Sequence, residues 1–441
     1  MSSIDNLGDN YIQNNSSNQT IFKVFFMYKE IINTDLIACH ECDKLLYRIE
    51  IPEHTKALCN RCGALLYRHI PNSLDRSLAL HIAAIMVFCI ANLLPFISLK
   101  SSGLENQSIL ISSGLAMFDF GMGEIGLVIF ATSILFPFIT MLGTLYLLLF
   151  SRFNTQPPLV GIVFRTIKFL TPWSLVGVFM LGVLIAIVKL QDLATVVPGI
   201  SLFAFATYIV IYTAARATFH ADDIWINSEH SPPNTEIDHS EHIWTHCHYC
   251  QLLVDENEHQ VCPRCDANLH KRKPNSIKRT WALLFTAMIL ILPANLYPVM
   301  TVMQFGKGEP NTIMSGVIHL IQGGMWGLAM IVFIASIVVP VLKLIALSYL
   351  LLSVQNQSDK RPEERTRLYR ITEIVGAWSM VDIYLVGLLS ALVSLGSLST
   401  IEPNIGATFF AAVVIITMLA AHSFDPRLIW DAAGLNNKNK I

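Results

Sequence analysis

Eight apolar runs of roughly twenty residues each divide the chain, which has 441 residues. Lipid offers no hydrogen-bond partner for a free backbone amide, so each run is predicted to be a helix that crosses the bilayer. Charged residues make up 14% of the chain, against about 25% in soluble domains, and this excludes a soluble globule. The predicted spans are residues 77–97, 124–151, 169–190, 194–217, 280–300, 325–353, 374–396 and 404–422.

Lysine and arginine are distributed unevenly between the two sides of these spans. The segments expected on one side hold 26 of the 30 basic residues, whereas the loops on the other side hold only Lys100 and Lys307. Basic residues accumulate on the cytoplasmic side of a membrane. We therefore expect both termini in the cytoplasm. The polar start of the chain contains no secretory signal pattern, and the net charge of −2 gives no basis for a nucleic-acid partner.

The sequence repeats itself at an offset of about 203 residues. Asn92-Leu-Leu-Pro95 matches Asn295-Leu-Tyr-Pro298, Gly121 matches Gly324, and Pro137 matches Pro340. At an offset of 205, Trp173-Ser174 matches Trp378-Ser379. Each half is a cysteine-rich module followed by four spans. Because four is even, the halves have the same topology and are parallel repeats.

Eight of the nine cysteines form four Cys-x-x-Cys pairs, two in each half. The residues are Cys39, Cys42, Cys59 and Cys62 in the first half and Cys247, Cys250, Cys262 and Cys265 in the second. Four thiolates in a tetrahedron suit Zn²⁺, and a closed site of this kind is typically structural. The sequence therefore predicts two structural zinc sites, which would stabilise modules too small to hold a core alone.

Three other interpretations of the cysteine pairs are disulfides, a redox pair and an iron site. Disulfides need an oxidising compartment, which the expected cytosolic position of the modules argues against. A thioredoxin-like redox pair needs a strand–helix context that is absent here. Iron, bound as in rubredoxin, is the alternative metal for the same ligands. The nearby His40, His69, His246 and His248 are interpreted as neighbours of a shell that four thiolates already complete.

The predicted domain order follows from the spans and the cysteine modules. We expect an all-α polytopic membrane protein made of two tandem parallel repeats, each a zinc-ribbon-like module plus four transmembrane helices. The expected segments are a polar tail (1–35), ribbon 1 (36–70), module 1 (72–219), a linker (220–242), ribbon 2 (243–271), module 2 (276–424) and a cytoplasmic tail (425–441).

Charged residues inside the spans are candidate functional residues because burying a charge in lipid is costly. Ser336, Pro340 and Lys343 lie on one face of the sixth span. Lys343 and Asp382, the latter in the seventh span, each lie about 15 Å deep at 1.5 Å per residue. They are expected to face each other as a pair.

The first half carries different polar residues. Lys189 and Asp192 are i, i+3 neighbours at the outer end of the third span, where an interfacial salt bridge and a functional role are both open. Thr417 in the last span either extends the polar set or bonds its own backbone. Outside the spans, the apolar segments 109–120 and 313–321 are expected as short surface helices or ordered loops.

No motif for ATP hydrolysis, dinucleotide binding, metalloprotease activity or a catalytic serine is present. A non-enzymatic role is therefore expected, and active transport would draw on ion coupling or on a partner protein.

The doubled pattern resembles the paraquat-inducible protein A family, in particular its LetA-type lipid-transport members. The resemblance covers residues 36–425 and rests on the paired Cys-His-x-Cys motifs, the repeated Asn-Leu-x-Pro and the run Trp-Ser-Met-Val-Asp that ends at Asp382. It implies a bacterial inner-membrane protein that works with a periplasm-spanning MCE-domain partner and loads or unloads phospholipid. The residues that the resemblance places in a central cavity, as a lipid or proton pathway, are Lys189, Asp192, Ser336, Lys343, Asp382 and Thr417.

Two other functions fit the same residues. A proton-coupled transporter of a small solute would use the same intramembrane charges. A membrane scaffold or metal or redox sensor would instead depend on the cysteine modules, and cysteine substitutions would then alter signalling without unfolding the protein. If the metal is structural, Cys262→Ser should instead lower protein abundance, because metal binding then supplies folding free energy.

Overall fold

The computed structural model describes residues 11–14, 36–101, 104–153, 155, 158–190, 195–225, 244–255, 259–304, 307–393 and 399–436. Within these ranges, eight helices are long and apolar enough to cross a membrane. Each overlaps one of the predicted spans, which confirms the prediction of a duplicated helical membrane protein. They are Ser73–Leu93, Gly123–Arg152, Val160–Leu190, Ile200–Thr218, Ser276–Leu296, Trp326–Gln355, Pro362–Leu392 and Ile405–Ser423.

Ribbon 1 is built from short antiparallel hairpins around its cysteines. Its strands are β1 (Tyr11–Asn14), β2 (Leu36–Ala38), β3 (Leu45–Tyr47), β4 (Thr55–Leu58) and β5 (Leu65–Arg68). Strand β2 pairs with β3, and β4 lies between β1 and β5. A segment of the N-terminal tail therefore adds a third strand to the second hairpin.

Module 1 contains the first four spans and a small sheet. In chain order its elements are α1 (Ser73–Leu93), β6 (Ile97–Ser101), β7 (Leu104–Ser108), α2 (Ser112–Asp119), α3 (Gly123–Phe130), α4 (Phe136–Arg152), α5 (Val160–Leu170), α6 (Val176–Leu190), β8 (Thr195–Pro198), α7 (Ile200–Thr218) and α8 (Asp222–Trp225).

Module 2 repeats the order of module 1, whereas ribbon 2 has fewer strands than ribbon 1. Both modules are taken to run past the expected ends at 219 and 424 and to include the short helices Asp222–Trp225 and Arg427–Ala432. Ribbon 2 has β9 (Trp244–His246) and β10 (Leu253–Asp255). Module 2 consists of α9 (Ser276–Leu296), β11 (Met300–Gln304), β12 (Lys307–Asn311), α10 (Ile313–Gln322), α11 (Trp326–Phe333), α12 (Val339–Gln355), α13 (Pro362–Gly376), α14 (Val381–Leu392), β13 (Ser399–Pro403), α15 (Ile405–Ser423) and α16 (Arg427–Ala432).

The third and seventh spans are longer than the apolar runs that predicted them. Each starts on the side of the ribbons with a helix that carries charges, α5 or α13, and these charges hide the helix from a hydropathy pattern. A short 3-10 turn, Thr171–Trp173 or Ala377–Met380, separates that helix from α6 or α14. In the first case Pro172 explains the break, because proline lacks an amide hydrogen.

The second and sixth spans each contain a π-helical turn, Ala131–Leu135 or Ile334–Val338, immediately before Pro137 or Pro340. A proline ring clashes with the carbonyl four residues earlier, and the wider turn relieves that clash. The two prolines are therefore accommodated by matching distortions. In module 1 the Leu175 amide donates to the Thr132 carbonyl of the widened turn, at 3.3 Å.

On the side of the membrane opposite the ribbons, each module forms a three-stranded antiparallel sheet. The strand orders are β7-β6-β8 and β12-β11-β13. The third strand of each sheet lies just before the last span of its module, so the sheet ties the two ends of the module together. The segments expected as short helices or loops contain α2 and α10. The strands were not predicted, because they are short and interrupted by polar residues.

The two modules join around α14. Every residue of this helix except Ala391 is buried, and it packs against α2, α3 and α6 of module 1. Two glycines allow the close approach. A Cβ on Gly387 would lie 2.5 Å from Cδ1 of Ile129, and one on Gly182 would lie 3.1 Å from Cβ of Tyr384. A helix of module 2 is thus part of the core of module 1.

Candidate functional site

The four Cys-x-x-Cys pairs adopt the same tight loop. In each loop the amide of the first cysteine donates to a carbonyl five residues later, as from Cys39 to Lys44 at 3.0 Å and from Cys262 to Ala267 at 2.8 Å. The residue after the second cysteine has a positive φ, and these residues are Asp43, Gly63, Gln251 and Asp266. Glycine adopts a positive φ without strain, whereas aspartate and glutamine adopt it less readily. The same loop shape therefore recurs although the residue at this position differs.

The eight thiols form two buried clusters, each able to hold a metal ion. In ribbon 1, Sγ of Cys39 lies 3.5 Å from Sγ of Cys62, and Sγ of Cys42 lies 3.6 Å from that of Cys59. In ribbon 2 the corresponding distances are 3.5 Å. A tetrahedral site with metal–sulfur bonds of about 2.3 Å places its sulfurs about 3.8 Å apart, so the donor sets fit such an ion. The separations far exceed a disulfide bond.

The histidines beside the cysteines bind other groups. His246 Nδ1 lies 3.1 Å from Oδ1 of Asp43, which belongs to ribbon 1. His248 Nε2 accepts a hydrogen bond from Nη2 of Arg427 at 3.0 Å. Burial and the charge of Arg427 lower the pKa of His248 to about 4, so its ring is neutral at pH 7 and can accept that bond. These histidines connect the ribbons to each other and to α16.

Inside the membrane domain, Lys343 occupies a nearly closed pocket. Its side chain is 3% exposed, and Nζ donates to Oγ1 of Thr417 at 3.1 Å. Thr417 in turn donates to the Val414 carbonyl at 2.9 Å. Nζ also lies against Gly376, where a Cβ would come within 2.6 Å of it. Nζ of Lys343 therefore bonds one neutral acceptor, Thr417, and it fits in this position because residue 376 is a glycine.

Asp382 is the second residue of α14 and is 7% exposed. Neither of its carboxylate oxygens has a hydrogen-bond partner among the described residues. Its electrostatic neighbours are Ser336 and Lys189. The Ser336 hydroxyl donates to the Val332 carbonyl at 2.6 Å, so its proton is already used. A buried carboxylate with unused acceptor sites is suited to a proton, a water or a ligand.

The expected pair of Lys343 and Asp382 is not formed. Both side chains are described, and no ion pair joins them: Lys343 bonds Thr417, whereas the carboxylate of Asp382 has no hydrogen-bond partner within the described residues. The depth argument was right about burial but could not give the direction in which each side chain points. Asp192 lies outside the described residues, so the structure gives no information on its expected pairing with Lys189.

In module 1 the positions equivalent to this polar region carry neutral side chains. Thr140 and Tyr212 occupy the positions equivalent to Lys343 and Thr417, at offsets of 203 and 205. Their side-chain oxygens lie 3.1 Å apart, and Ser174 lies 3.4 Å from the Tyr212 hydroxyl. In module 2 the hydroxyl of Ser379, the counterpart of Ser174, has no partner within the described part of the chain. The same polar constellation is neutral in one half and charged in the other.

Several polar residues of this region were not predicted from the sequence. The Tyr384 hydroxyl donates to Oγ1 of Thr132 at 2.7 Å and so links the two modules. Ser379 and Ser390 are each 1% exposed. Serine, threonine and tyrosine are common in apolar helices, and no spacing sets these apart. Comparing the halves position by position would have revealed only those that replace an apolar residue, such as Tyr384, whose equivalent is Phe179.

These features define a duplicated membrane protein with eight spans, two four-cysteine centres and a buried polar cluster, which consists of Ser336, Lys343, Asp382 and Thr417. The chain belongs to the paraquat-inducible protein A family, whose family model matches residues 74–229 and 277–434. Each matched segment covers the four spans of one repeat and leaves out the cysteine module that precedes them.

Curated relatives cover nearly the whole chain. The intermembrane transport protein PqiA of Escherichia coli K12 is 32% identical over 402 residues, which is 90% of this chain and 95% of that protein. Lipophilic envelope-spanning tunnel protein A of the same strain is 29% identical over 406 residues, 92% of this chain and 93% of that protein. A probable intermembrane transport protein of Haemophilus influenzae is 28% identical over 404 residues. No solved structure matches the chain significantly.

Proposed function

We propose that this protein is the inner-membrane component of an intermembrane phospholipid transport system. It would load lipid into, or unload lipid from, a periplasm-spanning tunnel protein with MCE domains. Relatives matched over nine-tenths of the chain are named intermembrane transport protein and envelope-spanning tunnel protein, and this carries the proposal. The polar cluster supports it, because a binding site for phospholipid needs an apolar lining for the acyl chains and a few charged groups for the headgroup.

The proposed lipid or proton pathway consists of Lys189, Asp192, Ser336, Lys343, Asp382 and Thr417. Lys343 and Lys189 supply cations that fit a phosphate, and Asp382 supplies an acceptor that a proton can occupy. The unused oxygens of Asp382 favour this role over a purely structural one. No catalytic chemistry is assigned to any of these residues.

The test is envelope integrity in cells that depend on this protein. We expect Lys343→Ala and Asp382→Ala to raise sensitivity to detergent or bile salts while membrane levels of the protein stay unchanged. Thr140→Ala, at the position equivalent to Lys343, is the matched control and should behave as wild type. Normal resistance in both charge variants would count against the site.

Two biochemical measurements separate the competing functions. Phospholipid extracted with the purified protein, together with co-purification of an MCE-type subunit, would support lipid transport. Proton-driven uptake of a small solute by the protein alone in vesicles would instead support a solute transporter. A Cys262→Ser variant with normal abundance and lost regulation would favour a metal or redox sensor.

We further propose that the two clusters hold Zn²⁺, with Fe as the alternative, and that both ribbons and both termini face the cytoplasm. The donor set of four thiolates and the asymmetry of basic residues support these assignments. Metal analysis of the purified protein decides between Zn and Fe. Labelling of a cysteine introduced into either tail, in intact and in permeabilised cells, tests the orientation.

A further inference from the structure

Within the described residues, the apolar core of each ribbon contains no residue of the spans that follow that ribbon in the sequence. The contact of ribbon 2 with its own module is polar and lies at the start of α16, where His248 binds Arg427. The cysteine cluster of ribbon 1 shares an apolar core with Leu347, Tyr369 and Trp430 of module 2. The cluster of ribbon 2 shares a core with Phe164 and Trp225 of module 1. The packed unit is therefore a module with the ribbon of the other repeat.

A repeated contact fixes each ribbon to its module. Arg61, between the last two cysteines of ribbon 1, stacks over the ring of Trp430 in α16. Arg264, the equivalent residue of ribbon 2, stacks over Trp225 in α8. In both cases the guanidinium carbon lies 5.6 Å from the ring centroid. Cation–π contacts of this kind stabilise a partly buried cation, and their recurrence at equivalent positions shows that the crossed packing is a property of both repeats.

A second repeated contact reaches the backbone of the metal loop. Arg165 of α5 donates through Nη1 to the Asp266 carbonyl at 2.9 Å. Arg370 of α13, its equivalent at an offset of 205, donates through Nη2 to the Cys62 carbonyl at 2.7 Å. The loop conformation around the thiolates thus determines where each arginine, and the helix that carries it, can sit.

One contact of this arginine differs between the two ribbons. Arg370 also forms an ion pair with Glu41, with Nε 2.8 and 2.9 Å from the carboxylate oxygens. The corresponding residue of ribbon 2 is Tyr249, which offers no carboxylate to an arginine. A bidentate arginine–carboxylate pair that is half-buried is stronger than a neutral contact. Ribbon 1 therefore binds α13 more strongly than ribbon 2 binds α5.

Helix α13 leads directly to the polar cluster. Its last residue, Gly376, forms the wall against Nζ of Lys343. The turn Ala377–Met380 follows, and Asp382 is the second residue of α14. A shift of α13 therefore moves the wall of the Lys343 pocket and the start of the helix that carries Asp382. No corresponding charge lies beyond α5, where Gly177 occupies the position equivalent to Asp382.

We propose that each ribbon is a metal-dependent clamp on the transmembrane module of the other repeat, and that ribbon 1, through Arg370, positions α13 and the Lys343–Asp382 region. Arg370 is a positioning residue and does not itself touch the transported molecule. The clamp stands on its own contacts. Only its effect on transport rests on the proposed function.

The test is hydrogen exchange by mass spectrometry on the full-length protein in detergent micelles. We expect Arg370→Ala to accelerate amide exchange about tenfold within residues 362–380, because a charge-assisted contact is lost. Residues 160–170 should be unaffected. Arg165→Ala is the matched control and should accelerate exchange in residues 160–170 to a smaller extent, leaving residues 362–380 unchanged. Both variants keep all eight thiols, so metal content should remain that of wild type.

Glu41 provides the decisive readout because it belongs to ribbon 1 yet should act on module 2. Glu41→Ala should accelerate exchange in residues 362–380, and adding Arg370→Ala should cost less than the sum of the two single effects. Arg370→Lys, which retains the charge and a donor, should restore part of the protection. Cys42→Ser should accelerate exchange in residues 362–380, and Cys262→Ser should accelerate it in residues 160–170, whereas the arginine and glutamate variants test the same contacts with every cysteine in place.

Exchange that rises in the module directly following the altered ribbon, or equally in both modules, would overturn the clamp. So would wild-type exchange in Arg370→Ala. Failure of the proposed transport function would leave these exchange patterns intact, because they do not depend on transport. Conversely, sensitivity to bile salts in Arg370→Ala but not in Arg165→Ala would connect the clamp to transport.

Discussion

Individual residues show how costly the polar cluster is. An ammonium group buried with one neutral acceptor, as in Lys343, loses more hydration than a single hydrogen bond returns. The equivalent pair Thr140 and Tyr212 avoids that cost. A charge retained where the scaffold accepts a neutral pair points to a use other than stability.

The neutral pair of module 1 can be copied into module 2. We expect the double variant Lys343→Thr, Thr417→Tyr to unfold at or above the wild-type temperature and to lose function in the bile-salt assay. Thr417→Val alone should lower the free energy of unfolding by about 1–3 kcal/mol, because it removes the one acceptor that the described part of the chain offers the ammonium. Thermal unfolding followed by tryptophan fluorescence measures both effects. A double variant that unfolds earlier than wild type would show that the charge is structural.

Asp425 predicts a pH dependence at the end of the last span. The side chains of Asp425 and Arg427 are 1% and 2% exposed and are joined by bonds of 2.9 and 2.7 Å. Burial opposes ionisation of Asp425, but the hydrogen bond and charge of Arg427 outweigh it and hold the pKa of this carboxyl well below its usual range. A depressed pKa in the folded state stabilises the protein above the unfolded value of about 3.9, and this contribution is lost as the pH falls further.

The measurement is thermal unfolding between pH 7 and pH 3 in wild type and in Asp425→Asn. Wild type should lose stability steeply below about pH 4. The variant should start less stable, because Arg427 is left without its counter-charge, and should lose less on acidification. Loss of metal at low pH affects both proteins, so the difference between the two curves isolates Asp425. Parallel curves would contradict the assignment.

Among the elements, the last span of each module begins in very close contact with the Asn-Leu-x-Pro backbone. A Cβ on Gly199 would lie 2.1 Å from the Pro95 carbonyl oxygen, and one on Gly406 would lie 2.4 Å from that of Pro298. The Gly406 amide also donates to the Pro298 carbonyl at 3.1 Å. The repeated motif therefore marks the junction where the sheet, the first span and the last span of a module meet.

Substitutions at this junction should lower the stability of the protein without changing the polar cluster. We expect Gly199→Ala to lower the free energy of unfolding by about 1–3 kcal/mol, because the clash is with backbone and cannot be relieved by rotating a side chain. Gly327→Ala, at a helical position with no atom within 4 Å of the added Cβ, is the control and should be neutral or slightly stabilising. Equal unfolding temperatures would show that the junction relaxes.

How far the sequence determines this structure differs between elements. Spans and cysteine centres follow from periodicity and spacing, so the eight helices and the two clusters were predicted. The charged α13 was missed because Glu363, Glu364 and Arg365 hide its continuity with the seventh span. The partner of Lys343 was predicted wrongly, because depth in a membrane fixes the level of a side chain but not its direction around the helix. The crossed ribbons arise from tertiary packing and have no local signal.

For the whole molecule, the packing of each ribbon on the module of the other repeat brings ribbon 1 into contact with residues late in the sequence. Arg61 of ribbon 1 stacks over Trp430 and also donates through Nη1 to Oδ1 of Asn436 at 3.0 Å. Arg272 binds Asp43 of ribbon 1 and Asp431 of α16, each at 2.6 Å. Ribbon 2 follows module 1 in the chain and packs on it, whereas ribbon 1 packs on module 2, which lies at the other end of the sequence. The packed unit is thus a module followed by a ribbon.

A circular permutation tests this description. A chain that begins at residue 72 and carries residues 1–71 after residue 441, through a short Gly/Ser linker, would place ribbon 1 after the module that it contacts. Such rearrangements are tolerated where the ends lie close together and the cut falls in an exposed connection. We expect the permuted chain to fold, to bind as much metal as wild type and to restore resistance to bile salts.

The control is the chain from residue 72 to residue 441 without ribbon 1. It should lose one metal-binding site and accumulate poorly, because Leu347, Trp430 and their neighbours lose the surface that covers them. Size-exclusion chromatography, metal analysis and thermal unfolding compare the three proteins. If the permuted chain fails as the shortened chain does, the connection from ribbon 1 into the first span is itself required. The ribbon would then act on the module that follows it, and the packed unit would coincide with the sequence repeat after all.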